Sequence, residues 1–99
     1  MFFGAYRFPG DPAELLPGYD RLMAAMPEEA ISLHVCVVEE DGITVFDACP
    51  TREVFLEFSG GPGFGNAVVA AGLPAPVVRP LGTIHAARVG DRSMPEAGR

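Results

Sequence analysis

Four side chains that can carry chemistry lie close together in the middle of the sequence. His34 and Cys36 belong to one β-rich segment, and Asp47 and Cys49 belong to the next. A carboxylate beside an imidazole fixes the imidazole tautomer and favours its protonated form, which suits a general base that works near neutral pH. The first question is therefore whether these two segments bring His34 and Asp47 together.

An Asp-Gly pair joins the two segments. Residues 31–39 and 43–49 are rich in β-branched and aromatic residues, and Asp41 and Gly42 lie between them. Asp-Gly flanked by such runs is a strong signal for a two-residue hairpin turn. The sequence therefore predicts an antiparallel pair of strands.

A turn at this pair fixes the register of the two strands. It predicts that Cys36 opposes Asp47 and that His34 opposes Cys49. His34 and Asp47 are then diagonal neighbours on one face of the pair, at a separation that allows a hydrogen bond.

Alternation along the two strands sorts their side chains into two faces. One face is polar and carries thiols, and its members are Ser32, His34, Cys36, Val38, Val45, Asp47 and Cys49. The other face is nearly all apolar, and its members are Leu33, Val35, Val37, Thr44, Phe46 and Ala48. We expect the apolar face to lie beneath helices and the polar face to line a pocket away from them. On the first strand, Tyr6 or Arg7 faces the same pocket, depending on the parity of that strand.

The second of the two histidines lies near the end of the chain. His85 is followed by two alanines, which leave room for a ligand. In the catalytic hypothesis His34 moves a proton, Asp47 orients it, and His85 binds or protonates a substrate oxygen. The side chains expected to contact the substrate are Tyr6, Ser32, Cys36 and Cys49. The alternative is that His34 and Asp47 form a satisfied polar pair in a dimer interface.

The two thiols do not indicate a metal site or a disulfide. A patch on adjacent strands does not converge tetrahedrally, and the chain has no Cys-x-x-Cys spacing. A bridge between Cys36 and Cys49 would run diagonally across the strands, in a compartment expected to be reducing. We expect no metal and no cofactor. The glycine-rich stretch at 59–66 lacks the Lys-Ser/Thr of a phosphate loop.

The surrounding elements follow the order β-α-β-β-α-α-β. The first strand is predicted at Phe2–Phe8, and the last extended stretch at Val77–Val89. Two helices are predicted between them, one from Thr51 to a break at Gly60-Gly61 and one at Phe64–Ala71. Asp11 is expected to cap the first helix, which Pro17 should kink or delay to a start near Tyr19. This order predicts an α+β, ferredoxin-like fold with a four-stranded antiparallel sheet. Residues 1–89 form the domain, and residues 90–99 form a flexible tail.

Composition excludes several classes of function. The chain of 99 residues carries 13 acidic residues against 7 arginines, no lysine, and a net charge of -6. Such a charge repels phosphate backbones and anionic lipids, so we expect neither nucleic-acid nor membrane binding. No secretory signal and no membrane-spanning run is apparent, which predicts a cytoplasmic protein.

A chain of this length buries only about two-thirds of its unfolded surface. Helices on one face of the sheet leave the other face uncovered. We therefore expect a homodimer in which a second copy covers that face.

The element order, the length and the two segments Leu33-His34-Val35-Cys36-Val37 and Val45-Phe46-Asp47-Ala48-Cys49-Pro50 resemble the dimeric α+β barrel superfamily. That group includes antibiotic-biosynthesis monooxygenases, muconolactone-isomerase-like proteins, polyketide cyclases and many small bacterial proteins. The resemblance covers residues 1 to 89 and concerns architecture. The chain has no tryptophan, which argues against the quinone-forming monooxygenase and haem-degrading branches.

Two functions remain open. The resemblance implies a cofactor-independent enzyme on a small, largely apolar substrate of aromatic or polyketide type. Proton abstraction by such an enzyme would lead to isomerisation, cyclisation or oxygenation. The alternative is a non-catalytic dimeric module that binds a small apolar ligand or haem.

Overall fold

The computed structural model describes residues 1–26 and 33–94, which form three helices and a four-stranded antiparallel sheet in an α+β fold. The elements of the sheet and its helices are β1 Phe2–Pro9, α1 Pro12–Ala25, β2 Leu33–Glu39, β3 Gly42–Cys49, α2 Arg52–Gly60, α3 Pro62–Ala70 and β4 Val77–Thr83. The strand order is β2-β3-β1-β4, which is compatible with a ferredoxin-like arrangement. None of the helices in the described part of the chain is long and apolar enough to span a membrane.

Helix α1 starts where its cap predicts. The carboxylate of Asp11 accepts a hydrogen bond from the amide of Ala13 at 3.0 Å, and Pro12 occupies the first helical position. Pro17 lies inside the helix, so the expected late start near Tyr19 is wrong. Proline lacks only one intrahelical donor, and the cap and the buried leucines of α1 offset that loss.

Helices α2 and α3 meet at a single residue. The hydroxyl of Thr51 accepts a hydrogen bond from the amide of Val54 at 3.2 Å, which confirms the predicted start of α2. Gly61 follows the last residue of α2 and precedes the first residue of α3. Helix α3 therefore starts at Pro62, two residues before its predicted start at Phe64. Gly72 follows α3 with φ of 80°, a left-handed conformation that glycine adopts at helix ends.

The last extended stretch is divided into two parts. Predicted as one run over Val77–Val89, it forms β4 and then β5 at Ala87–Val89, which pairs with β6 at Arg92–Met94 in a separate two-stranded sheet. The predicted tail, residues 90–99, therefore includes the short strand β6. The end of that predicted tail, residues 95–99, lies outside the described residues.

The β2–β3 hairpin turns one residue earlier than its Asp-Gly pair predicts. Glu39 pairs with Gly42, so the turn residues are Glu40 and Asp41. A type I′ turn needs positive φ at both central residues, and Gly42 is not among the positive-φ residues of the described chain. Gly42 instead allows the side chain of Arg7 to lie close to the backbone, because a Cβ at this position would be 1.8 Å from Nη1 of Arg7.

The register of the hairpin differs by two residues from the prediction. His34 opposes Asp47, where Cys49 was expected, and Cys36 opposes Val45 rather than Asp47. Because side chains alternate with a period of two, a shift of two residues leaves every side chain on its predicted face. The two sets of side chains are therefore sorted as predicted.

Their orientation toward the helices is the reverse of the prediction. The helices cover the face that carries the polar set and the large side chains of β1. The buried members of this face are Phe2, Tyr6, Phe8, Ile43, Val45, Asp47 and Cys49. This choice follows from β1, where Gly4 leaves room for the ring of Phe55 from α2. Burying the large aromatic side chains of β1 stabilises the fold more than burying the smaller apolar side chains of β2 would.

The uncovered face of the sheet carries a group of apolar side chains beside the polar residues Arg7, Glu39, Thr44 and Arg79. We call it the open face, and its members include Phe3, Leu33, Val35, Val37, Phe46 and Val77. Val35 and Val77 are 41% and 58% exposed, and the rings of Phe3 and Phe46 stack at 5.7 Å between centroids.

Candidate functional site

The imidazole of His34 and the carboxylate of Asp47 form a hydrogen bond beneath the helices. The distance from Nδ1 of His34 to Oδ1 of Asp47 is 2.6 Å, because the two residues are direct neighbours across β2 and β3. The side chain of Asp47 is only 5% exposed, and that of His34 is 22% exposed. The predicted pairing is confirmed, but its predicted place away from the helices is wrong.

A third polar group extends this pair toward the surface. The hydroxyl of Tyr19, from α1, hydrogen-bonds to Nε2 of His34, and the two rings stack at 5.6 Å between centroids. Burial, followed by neighbouring negative groups, raises the pKa of Tyr19 to about 12, so the phenol remains protonated at neutral pH. The direction of this hydrogen bond depends on the proton positions of the imidazole: an Nε2 without a proton accepts from the phenol, and a protonated Nε2 donates to the phenol oxygen.

The cavity beside His34 and Asp47 is small. It leaves about 20 Å³ open to the centre of a water molecule. Its lining is mostly apolar and consists of Tyr6, Phe8, Leu22, Met23, Met26, His34, Val45, Asp47, Phe58 and Phe64. A space of this size accepts about one water molecule and no organic substrate. We call it the inner cavity.

The expected substrate contacts are dispersed. Tyr6 is buried, and burial and then the charge of Asp47 raise the pKa of its hydroxyl well above the usual range. Cys36 is partly buried and Cys49 is buried, and burial raises the pKa of both thiols, which therefore remain protonated. The remaining residue, Ser32, lies outside the described residues.

His85 does not share a cavity with His34. It lies in the bend between β4 and β5 and is exposed at a second hollow of about 510 Å³ beside the open face. The lining of this hollow consists of Phe3, Leu33, Leu81, Gly82, Thr83, Ile84, His85, Ala86 and Ala87. We call it the His85 hollow. The sequence left open which cavity His85 faces, and the structure places it at a different one from His34 and Asp47.

Sequence reasoning missed the contribution of Tyr19. From the sequence, Tyr19 is named only as the residue near which the first helix is expected to start. Its polar tip becomes informative only once His34 is known to lie beneath α1. Within the described residues, no group of three or more His, Cys, Asp or Glu side chains is arranged to hold a metal ion.

The chain matches no protein-family model, no curated protein sequence and no solved structure. Membership of the dimeric α+β barrel superfamily therefore stays a prediction, with which the α+β fold is compatible. The function must be inferred from the side chains and surfaces of the protein itself.

Proposed function

We propose that the protein is a homodimeric binding module for a small apolar molecule, which occupies the His85 hollow. The observation that carries this proposal is the size of the hollow, about 510 Å³, together with its apolar lining. Ligand pockets typically measure about 300–1,000 Å³ and combine apolar walls with a few polar groups. The inner cavity at His34 is far below that size.

The lining of the His85 hollow indicates the chemistry of its ligand. Apart from the imidazole of His85, it contains no ionisable side chain, and the chain as a whole is strongly acidic. These features favour an uncharged ligand whose bulk is apolar and which has one oxygen or nitrogen for the imidazole. An anionic ligand would meet no fixed positive charge there.

Filling the hollow should remove ligand binding. A Cβ at Gly82 meets no atom within 4 Å, so the backbone has room for a side chain there, and Gly82→Phe adds a ring at the wall of the hollow. We expect the affinity for the neutral apolar dye Nile red, measured by fluorescence titration, to fall by about tenfold or more, since even 1.4 kcal/mol of lost contact has that effect. Gly65→Phe on α3 is the matched control, because a Cβ there also meets nothing within 4 Å. Equal dye affinity in the two variants would contradict the proposal, as would a parent protein that binds no dye.

A second copy of the chain is proposed to cover the open face. Support comes from the exposed valines of this face and from the stacked pair of Phe3 and Phe46. Contiguous apolar surface of this kind is typical of interaction sites. Because the His85 hollow borders the open face, the second copy would also close the hollow.

The dimer predicts a mass in light scattering of about twice the 10.5 kDa chain mass at micromolar concentration. Val35→Asp should shift the protein toward the monomer, because it places a charge on the open face, where Val35 is 41% exposed. Val69→Asp is the control, because Val69 lies on α3 and is 75% exposed. A monomeric parent protein, or equal dissociation of both variants, would rule out this interface.

The linked side chains of Tyr19, His34 and Asp47 support a second candidate, a cofactor-independent enzyme that abstracts a proton. The Tyr19 oxygen would accept a proton from a small apolar substrate while its own proton passes to His34, and Asp47 would stabilise the imidazolium. The product would arise by isomerisation, by cyclisation or, with dioxygen as a second substrate, by oxygenation. In this candidate the folded variant His34→Leu/Asp47→Leu loses turnover, whereas in the first candidate it keeps its ligand affinity.

A further inference from the structure

Tyr6 has a buried hydroxyl that no group among the described residues satisfies. Its ring packs in the core, 5.5 Å from the ring of Phe55 and 5.0 Å from that of Phe64 between centroids. The residue is 2% exposed, and no atom of the described residues hydrogen-bonds to the hydroxyl. A buried hydroxyl without a partner is destabilising, so such groups usually contact ordered water.

An acceptor lies on the same face of the sheet. Tyr6 pairs with Val45 in β3, and Asp47 follows two residues further along that strand on the same side. One oxygen of Asp47 accepts from His34. An ionised carboxylate has about four acceptor sites, so Asp47 can accept further hydrogen bonds.

The inner cavity lies between these groups and has the right size for one molecule. Tyr6, His34 and Asp47 all line it, and it leaves about 20 Å³ open to the centre of a water molecule. A cavity needs about 10–15 Å³ by this measure to hold one water, and the water needs two to four polar partners. Purely apolar cavities of similar volume stay empty, so the polar groups decide occupancy.

We propose that the inner cavity is a binding site for a single water molecule, which accepts a hydrogen bond from the Tyr6 hydroxyl and donates one to the Asp47 carboxylate. The site lies on the opposite side of the sheet from the His85 hollow and is independent of ligand binding there. With the water in place, polar contacts run without interruption from Tyr6 on β1 through Asp47 and His34 to Tyr19 on α1.

Tyr6→Phe tests the site because the two possibilities predict opposite signs. If water bridges Tyr6 to Asp47, the variant loses that bridge, and we expect the equilibrium constant of unfolding to rise about fivefold. If the hydroxyl has no partner, its removal should make the protein more stable, which would overturn the proposal. Urea denaturation of both proteins at equal concentration gives the sign.

Crystallography provides a second, independent readout. The parent protein should show a spherical density peak about 2.8 Å from the Tyr6 hydroxyl oxygen, and Tyr6→Phe should lose that peak. Tyr19→Phe is the matched control, because it removes a hydroxyl from the same chain of contacts but leaves the Tyr6–Asp47 bridge intact, so the peak should remain. A well-ordered parent structure without the peak would overturn the proposal.

Discussion

Replacing Gly4 by alanine should lower the free energy of unfolding by about 3 kcal/mol, at the upper end of the usual cost of overpacking a core. A Cβ at this position would lie 2.1 Å from Cε1 and 2.3 Å from Cζ of Phe55. The Phe55 ring has no exposed area and packs 5.5 Å from the rings of Phe2 and Tyr6, so it cannot move aside freely. For a domain of this size, the melting temperature should fall by more than about 10 °C.

The cause of this loss can be isolated with a second substitution. Phe55→Leu shortens the side chain that the new methyl group strikes, so the double variant should lose less stability than the sum of the two single variants. Gly82→Ala is the control, because Gly82 also lies in a strand but its Cβ would meet no atom within 4 Å. Additive losses in the double variant would show that Phe55 is not what excludes a side chain at Gly4.

Replacing His34 by leucine should cost a similar amount, about 3 kcal/mol at pH 7, because a buried carboxylate that loses its hydrogen-bond partner is left uncompensated. The carboxylate of Asp47 would lose the hydrogen bond that it accepts at 2.6 Å while its side chain stays 5% exposed. Urea unfolding should be followed at one fixed protein concentration, because dimerisation would make the measured stability depend on concentration.

The double variant His34→Leu/Asp47→Leu shows whether the cost comes from the stranded carboxylate. Removing both polar groups leaves no buried charge, so the double variant should be more stable than His34→Leu alone. Tyr19→Phe is the control for the outer hydrogen bond and should cost about 1 kcal/mol or less, because water can reach the partly exposed His34. A double variant less stable than His34→Leu would show that Asp47 is satisfied without His34.

The sequence predicted which side chains share a face, but not which face the helices cover. Which side chains share a face follows from the two-residue period of strands. A register error of two residues between His34 and Asp47 does not change that assignment. Which face the helices cover is decided by the side chains of all four strands together. The inference from β2 and β3 alone left out Gly4 and the aromatic residues of β1, which form the pocket for Phe55.

Two further differences have local causes. Gly42 looks like a turn residue, yet its role is to let the side chain of Arg7 cross the strand, a long-range contact that no local pattern contains. His85 was assigned to the last strand, but the chain leaves the sheet after Thr83 and turns into the separate hairpin of β5 and β6. His85 lies away from His34 because the chain leaves the sheet before reaching it.

The single-residue junction between α2 and α3 limits how this protein can be engineered. Gly61 ends one helix and begins the other, and Phe58 and Phe64 on either side of it lie 5.0 Å apart between ring centroids. An affinity tag, a reporter domain or new chain ends placed at Gly61 would separate these rings and pull both helices off the sheet together. The exposed turn at Glu40 and Asp41 joins no packed rings, and its contacts are the ion pair of Asp41 with Arg7 and the hydrogen bond from the amide of Gly10 to the Asp41 carbonyl. It is therefore the better point for opening or extending the chain.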